Sequence, residues 1–183
     1  MIEIEIRAKV KDFNEIKNRL GGIGAEPSKS IHQIDKIFGH PKFLDENNMI
    51  IEGGIVPRIR SVNGSCVLEF KEINRKSGAG MEFKSEIVNV ELGLDFLKKL
   101  GFTEAFTVDK KRQSYKYKDF SIDLDEVEKL GFFVEIEKMT DSYDEKEKVK
   151  KECLELLKMI SPDSEIENKK YGDLMQEIIN KKS

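Results

Sequence analysis

The sequence predicts an α+β fold in which about eight strands close into an antiparallel β-barrel with helices on its outside. Three observations lead to this prediction: strand-length segments that alternate apolar and charged residues, turn sequences between them, and short segments with helical spacing. A chain of 183 residues is long enough to bury a sizeable core, so we expect a single domain over residues 1–183.

The first strand and the first helix have the clearest patterns. Residues 1–10 alternate apolar side chains with glutamate, arginine and lysine, which is the period of a strand with one apolar face. Asp12 and Glu15 then have the spacing of a capping box, and Gly21 ends the helical pattern that follows. We therefore expect a strand followed by a short helix.

The remaining elements follow from the same patterns. The Asn63-Gly64 pair between two strand patterns is the strongest hairpin signal, and residues 76–80 form a second turn sequence. Further strands are predicted at 30–38, 56–62, 65–72, 81–90, 106–117, 120–124 and 132–138, and helices at 93–100, 144–160 and 171–179.

Acidic and basic residues are nearly balanced, with 32 lysines and arginines against 35 aspartates and glutamates. A nucleic-acid or membrane-surface binder needs an excess of positive charge, so we expect neither partner. The sequence has no run of ~18 apolar residues and no secretory signal pattern, which favours a cytoplasmic protein. We expect the protein to be either a monomer or a homodimer. Cys66 and Cys153 lack metal-binding spacing and are expected to be buried thiols.

Strand after strand carries acids and bases together on the face opposite its apolar residues. From periodicity alone, an ordinary sheet with one solvated face explains this equally well, with cross-strand pairs worth about 0.2–1 kcal/mol each. The helices favour the barrel, because their apolar sides need the outer strand faces and leave the charged faces to point inward. Desolvated charges are costly unless they are paired or bound by a ligand, so a polyanion with metal ions would suit such an interior.

The segment at 3–9 reads Glu-Ile-Glu-Ile-Arg-Ala-Lys. It resembles the ExExK signature of the CYTH superfamily, the triphosphate tunnel metalloenzymes. The residues 169–174 and the His40-Pro41 pair resemble the class IV adenylate cyclase branch more than the thiamine triphosphatase branch. Matching segments follow in the expected order at 33–38, 57–60, 68–71, 110–112, 123–127 and 130–137.

The resemblance implies an eight-stranded antiparallel tunnel with a metal-binding side and a phosphate-binding side. Carboxylates are the expected ligands of Mg²⁺ or Mn²⁺, and the metal candidates are Glu3, Glu5, Asp125, Glu135 and Glu137. Lysines and arginines are the expected ligands of the phosphates, and these candidates are Arg7, Lys9, Arg58, Arg60, Lys71, Lys84, Lys110 and Arg112.

One residue departs from the signature. Arg7 replaces its lysine, and a guanidinium stays protonated, so Arg7 can bind phosphate but is a poor general base. We expect Lys9 to take part of the lysine's role, which makes Glu5, Arg7 and Lys9 the catalytic candidates.

The resemblance implies a metal-dependent enzyme that acts on a small triphosphate, ATP or polyphosphate. The first hypothesis is a class IV-type adenylate cyclase, which converts ATP to cyclic AMP and pyrophosphate. The second is a triphosphatase acting on inorganic or organic triphosphates, and the third is a non-catalytic module that binds nucleotide or polyphosphate. A sheet protein with a charged solvent face and a macromolecular partner is the fourth.

Overall fold

The computed structural model describes residues 2–46, 50–73 and 82–181. The chain divides into two compact units: a terminal unit, Met1–Ile31 with Lys110–Ser183, and a central unit, His32–Asp109. The helices are α1 (Asn14–Gly22), α2 (Val90–Lys99), α3 (Lys146–Ile160) and α4 (Tyr171–Asn180). The strands are β1 (Ile2–Val10), β2 (Glu26–Gly39), β3 (Ile55–Val62), β4 (Ser65–Glu72), β5 (Glu82–Glu86), β6 (Thr103–Tyr117), β7 (Phe120–Val127), β8 (Gly131–Thr140) and β9 (Glu165–Ile166).

In the terminal unit the strands follow the order β6-β7-β8-β1-β9, and neighbours with a described register are antiparallel. Residues in register share a face, so the alternation in β1 continues across β8 and β7. One face is apolar and the other is charged. The two-residue strand β9, which the sequence pattern did not indicate, pairs with β1.

Helices α1 and α3 cover the apolar face of the terminal unit. Ile16 and Leu20 of α1 and Ile160 of α3 belong to one core cluster with the inward residues of β1, β7 and β8. This packing confirms that the helices take the apolar strand faces. Cys153 lies in the same cluster and is buried, which raises the pKa of its thiol to about 11, whereas Cys66 is only partly buried.

In the central unit the strands follow the order β5-β4-β3-β2. The β3–β4 hairpin turns at Asn63 and Gly64, both with positive φ (48° and 89°), as the sequence predicted. Helix α2 covers the apolar face, where Leu97 forms the core with Phe38 and Ile59.

Helix α2 begins earlier than predicted, and β5 is correspondingly shorter. Asn89 accepts a hydrogen bond on its side-chain oxygen from the backbone N–H of Leu92 (3.0 Å), so it caps a helix that starts at Val90. The capping box predicted at Asp12 and Glu15 is absent, because Asp12 accepts from the N–H of Asn14 and the residue at the N-cap is Phe13. The predicted turn at 76–80 lies outside the described residues.

The antiparallel α+β class is confirmed. The strand pairings described for this chain form an open order that ends in β5 and β9, not a closed ring. Closure of the strands into an eight-stranded barrel therefore remains a prediction. Across the described ranges, every helix is too short or too polar to cross a membrane.

The core of the terminal unit can be tested at the end of α3. Ile160 is completely buried, whereas Met159 beside it is 54% exposed. We expect Ile160→Ala to lower the free energy of unfolding by about 2–5 kcal/mol, because it removes buried methyl groups and leaves a cavity. Met159→Ala is the matched control and should change it by about 0.5 kcal/mol or less in urea titrations. Equal effects of the two changes would contradict this packing.

Candidate functional site

The charged face of the terminal unit brings together side chains from four strands. The register places Arg7 of β1 opposite Glu135 of β8, and Asp123 of β7 opposite Glu135 from the other side. Glu5 and Glu137 form the neighbouring pair. Because these residues lie in register on one face, charges that are far apart in sequence become direct neighbours.

Asp125 is completely buried on this face, and its charge is held by three partners. Arg112 binds it with two hydrogen bonds, from Nε to Oδ1 (2.6 Å) and from Nη2 to Oδ2 (2.5 Å). Lys110 donates from Nζ to Oδ2 at 3.1 Å. Burial alone would raise the pKa of Asp125, but the hydrogen bonds from Arg112 and the charge of Lys110 hold it below its usual range.

Arg112 also contacts two further carboxylates, Asp123 and Glu135. Burial alone would lower the pKa of Arg112, but its hydrogen bonds with Asp125 and the surrounding negative charge raise it, so the guanidinium stays protonated. Arg112 thereby links β6, β7 and β8 across the charged face.

Tyr171, the first residue of α4, completes the surroundings of Asp125. Its hydroxyl donates to Asp125 Oδ2 at 3.0 Å, and its ring packs edge-on against Phe133. The guanidinium of Arg7 lies 4.4 Å from the centre of the ring, and Lys110 Nζ lies 5.3 Å from it. Burial, followed by the charges of Glu135 and Asp125, raises the pKa of Tyr171, so the hydroxyl remains a donor.

Arg7 is held by carboxylates on two strands. Its Nε donates to Glu135 Oε1 (2.5 Å) and its Nη2 donates to Glu5 Oε1 (2.6 Å). Its third nitrogen, Nη1, donates to the carbonyl of Lys169 at 2.8 Å. Burial alone would lower the pKa of Arg7, but the charges of Glu135, Tyr171 and Glu5 and the hydrogen bond with Glu135 together raise it. Arg7 is therefore a fixed cation between the two carboxylates.

Two groups of carboxylates on this face have the spacing of a metal site. Glu3, Glu5 and Glu137 form one group, and Asp123, Glu135 and Glu137 form the other; within each group the oxygens lie within 4.8 Å of one another. In the described part of the chain, Arg7 and Arg112 are the only cations ion-paired with these five carboxylates, and Glu3 and Glu137 have no ion pair.

Glu137 is the residue that belongs to both groups, and its surroundings change its pKa. Burial, and then the charges of Asp123 and Glu3, raise its pKa to about 7. The pKa of Glu5 is also raised, first by burial and then by Glu135. A bound cation stabilises the ionised forms of carboxylates that lie close together, so this arrangement suits a divalent metal ion.

The central unit has a charged cluster of its own. Arg60 binds the buried Asp35 with two hydrogen bonds of 2.8 Å, from Nε to Oδ1 and from Nη2 to Oδ2. Arg58 donates from Nε to Glu69 Oε2 at 2.5 Å, and Lys84 Nζ lies 3.8 Å from Glu69 Oε1. Three cations thus share two buried carboxylates on this face of β2–β5.

Most of the predicted site residues lie in the charged cluster of the terminal unit or in that of the central unit. Asp125 lies in the cluster of the terminal unit but in neither carboxylate group, because its oxygens face Arg112, Lys110 and Tyr171. Lys9 lies further along β1, with its Nζ 5.8 Å from the ring centre of Phe133, and lines a cavity of about 200 Å³ beside α4. Lys71 is exposed near the end of β4.

Sequence reasoning left four residues of the clusters without a role. Alternation predicts that Asp123 and Glu69 lie on charged strand faces, but neither is among the predicted ligands, and Asp35 and Tyr171 lie only within the motifs at 33–38 and 169–174. A tyrosine at the start of a C-terminal helix pattern does not show which strand face it contacts. The hydrogen bond from Tyr171 to Asp125 supplies this information.

Fold and charge together define an antiparallel α+β protein with carboxylates spaced for a metal ion beside cations suited to phosphate. The family model of the CYTH domain matches residues 1–169. The chain therefore belongs to the CYTH family, as the motifs predicted.

Named relatives and solved structures extend this similarity. A protein of Methanocaldococcus jannaschii named "Putative adenylate cyclase" is 33% identical over 164 residues, which covers 88% of this chain and 90% of the relative. A structure from Pyrococcus horikoshii OT3 aligns with a TM-score of 0.72 and 28% identity over 96% of this chain and 99% of its own. A Hippeastrum protein, described as a "putative adenylyl cyclase" with a dominant triphosphatase activity, shares the fold with a TM-score of 0.67 and 19% identity, covering 96% of both chains.

The raised pKa of Glu137 predicts a pH dependence of stability. Its pKa is about 7 in the folded protein and 4.5 ordinarily, so the folded state holds more protons across this interval. Stability from Glu137, which faces Glu3, Asp123, Glu135 and Arg112, is present below about pH 4.5 and is lost as pH rises through 7.

We expect Glu137→Gln to remove this pH-dependent loss of stability. Measured in EDTA, the melting temperature of the variant minus that of the wild type should therefore increase from pH 5 to pH 8. Glu126→Gln, on the opposite and exposed side of β7, should follow the wild-type curve. A Glu137→Gln curve parallel to wild type would contradict the raised pKa.

Proposed function

We propose that this chain binds a triphosphate together with a divalent metal ion and cleaves a phosphorus–oxygen bond in it, with conversion of ATP to cyclic AMP and pyrophosphate as the first candidate reaction. The observation that carries the proposal is the five-carboxylate cluster around Glu137, which lies beside Arg7, Arg112 and Lys110. The name of the Methanocaldococcus relative supports the choice of reaction.

The residues present fit a metal ion on chemical grounds. Carboxylate oxygens are the ligands that Mg²⁺ and Mn²⁺ prefer, and a divalent charge would offset the burial and the repulsion that together raise the pKa of Glu137. Glu3, Glu5 and Glu137 would hold one ion, and Asp123 and Glu135 with Glu137 would hold another. A bound ion of this kind neutralises phosphate charge and acidifies an attacking hydroxyl or water. Asp125 is not included, because Arg112, Lys110 and Tyr171 occupy its oxygens.

The cations of the terminal unit are proposed to bind phosphate oxygens. Arg7 and Arg112 present planar donors that match a phosphate group, and they stay protonated at any physiological pH. Asp125 and Tyr171 act as positioning residues, since Asp125 orients Arg112 and the Tyr171 ring supports Arg7. Glu5 and Lys9 remain proposed contributors to catalysis.

The cations of the central unit are proposed to bind phosphate as well. Arg58 and Arg60 are oriented by Glu69 and Asp35, whose burial keeps both guanidinium groups fixed on the charged face. Fixed donors lose little entropy when they bind an anion. Lys84 and Lys71 would add charge along the neighbouring strands.

Two reactions are consistent with such a site. In the cyclase reaction the ribose 3′-hydroxyl attacks the α-phosphorus, loses its proton, and the bond to the bridging oxygen of pyrophosphate breaks. In the triphosphatase reaction water attacks the terminal phosphorus and orthophosphate is released. The described activity of the Hippeastrum protein, which shares the fold, favours this second candidate. Both reactions depend mainly on positioning and charge neutralisation.

A product assay separates these functions. The protein is incubated with ATP or tripolyphosphate in Mg²⁺ or Mn²⁺, and products are resolved by chromatography and mass spectrometry. Equal amounts of cyclic AMP and pyrophosphate are the expected result from ATP. Orthophosphate release without cyclic AMP would establish the triphosphatase instead. Tight tripolyphosphate binding by calorimetry without turnover would indicate a binding module, and no binding at all would overturn the proposal.

Variants assign the metal and phosphate roles. Glu137→Gln should lower kcat/KM by about 100-fold, roughly 2.7 kcal/mol, and higher metal concentration should partly restore it. Arg112→Met should lose a similar factor that metal does not restore, because the guanidinium acts on phosphate. Glu126→Gln is the control and should stay within about twofold of wild type. Equal rescue of both variants by metal would refute this assignment.

A further inference from the structure

Helix α2 carries a second apolar face that points to solvent. Val88, Leu92, Phe96 and Leu100 recur at every fourth residue and are 107%, 68%, 53% and 52% exposed, and we name them the α2 stripe. Leu92 and Phe96 lie within α2, whereas Val88 precedes its N-cap residue and Leu100 is its C-cap residue. About 100° round the helix from Phe96, Leu97 is completely buried in the core of the central unit. The stripe is therefore additional to the face that the fold itself uses.

The size of the α2 stripe can be compared with that of known interfaces. Its four side chains expose on the order of 450 Å² of apolar surface, which is typical of the largest apolar patch on a monomeric protein, a patch that is often functional. Two copies brought together would bury roughly 900 Å² from the stripes alone, close to the 1,000 Å² expected of a specific interface. The flanking polar residues would supply the remainder.

The charges beside the stripe indicate what covers it. Glu91 and Asp95 lie towards the start of α2, and Lys98 and Lys99 lie at its end; all four are exposed. At about 100° per residue they fall along the same flank of the stripe. When two such helices pack antiparallel about a twofold axis near Phe96, the acidic half of each flank meets the basic half of the other.

We propose that the α2 stripe is the contact surface of a homodimer, in which α2 of one protomer packs antiparallel against α2 of its partner. A parallel twofold arrangement would place the charged flanks of the two helices on opposite sides of the interface, where they could not pair. The antiparallel arrangement uses one self-complementary surface, which is the usual form of a twofold interface. The proposal concerns only the central unit and does not depend on the proposed function.

The first test is the mass of the full chain by size-exclusion chromatography with light scattering. The wild type should have twice the mass of one chain, and Phe96→Glu should have the mass of one. Met159→Glu, which changes a similarly exposed residue on α3, is the matched control and should remain dimeric. Circular dichroism checks that each variant keeps its helices and its melting transition. A monomeric wild type, or a Phe96→Glu protein that stays dimeric, would overturn the proposal.

A charge exchange tests the antiparallel pairing directly. The Lys98→Glu/Lys99→Glu variant has an acidic flank and Glu91→Lys/Asp95→Lys has a basic one, so each alone should dimerise at least about tenfold more weakly than wild type. An equimolar mixture should recover a dimer that contains one chain of each, identified by native mass spectrometry. A mixture that associates no better than either variant alone would contradict the antiparallel pairing.

Discussion

The buried charge of Asp125 is the constraint around which the terminal unit is arranged. A carboxylate without any exposure is tolerated only when its oxygens are fully paired, because removing an ion from water costs several kcal/mol. Arg112, Lys110 and Tyr171 provide that pairing from β6 and α4. Once Arg112 is held in this way, its Nη1 faces Asp123 and its Nη2 also contacts Glu135. The positions of neighbouring charges thus follow from one buried ion.

Glu135 connects this arrangement to the carboxylate groups. It accepts hydrogen bonds from both Arg7 and Arg112, and it also belongs to the group formed with Asp123 and Glu137. A cation that binds Glu135 would weaken its hold on the two arginines, which would then be more available to an anion. The proposed metal ion and the proposed phosphate are therefore expected to bind cooperatively, through the oxygens of one residue.

Much of the fold follows from alternation, because a strand exposes side chains to two faces in strict turn. That rule correctly assigned the apolar and charged faces, and Asn63-Gly64 correctly marked a hairpin. The predicted start of α2 is too late because valine and glutamate at 90–91 also suit a strand, and the hydrogen bond that Asn89 accepts from the N–H of Leu92 decides the boundary. Asp125 is paired with Lys110 and Arg112, whereas Glu137 belongs to the carboxylate groups. No local sequence pattern specifies which cation pairs with which carboxylate, so the sequence did not predict this difference.

The contact made by Tyr171 shows that α4 contributes a side chain to the candidate site. The CYTH family model ends at residue 169, so α4 lies beyond the part of the chain that defines the family. Its first side chain nevertheless reaches the most deeply buried charge of the terminal unit. A protein trimmed after residue 169 would keep the motifs between residues 3 and 137 and still lose a donor to Asp125 and the aromatic ring beside Arg7. The end of the family match and the end of the candidate site are therefore different places in this molecule.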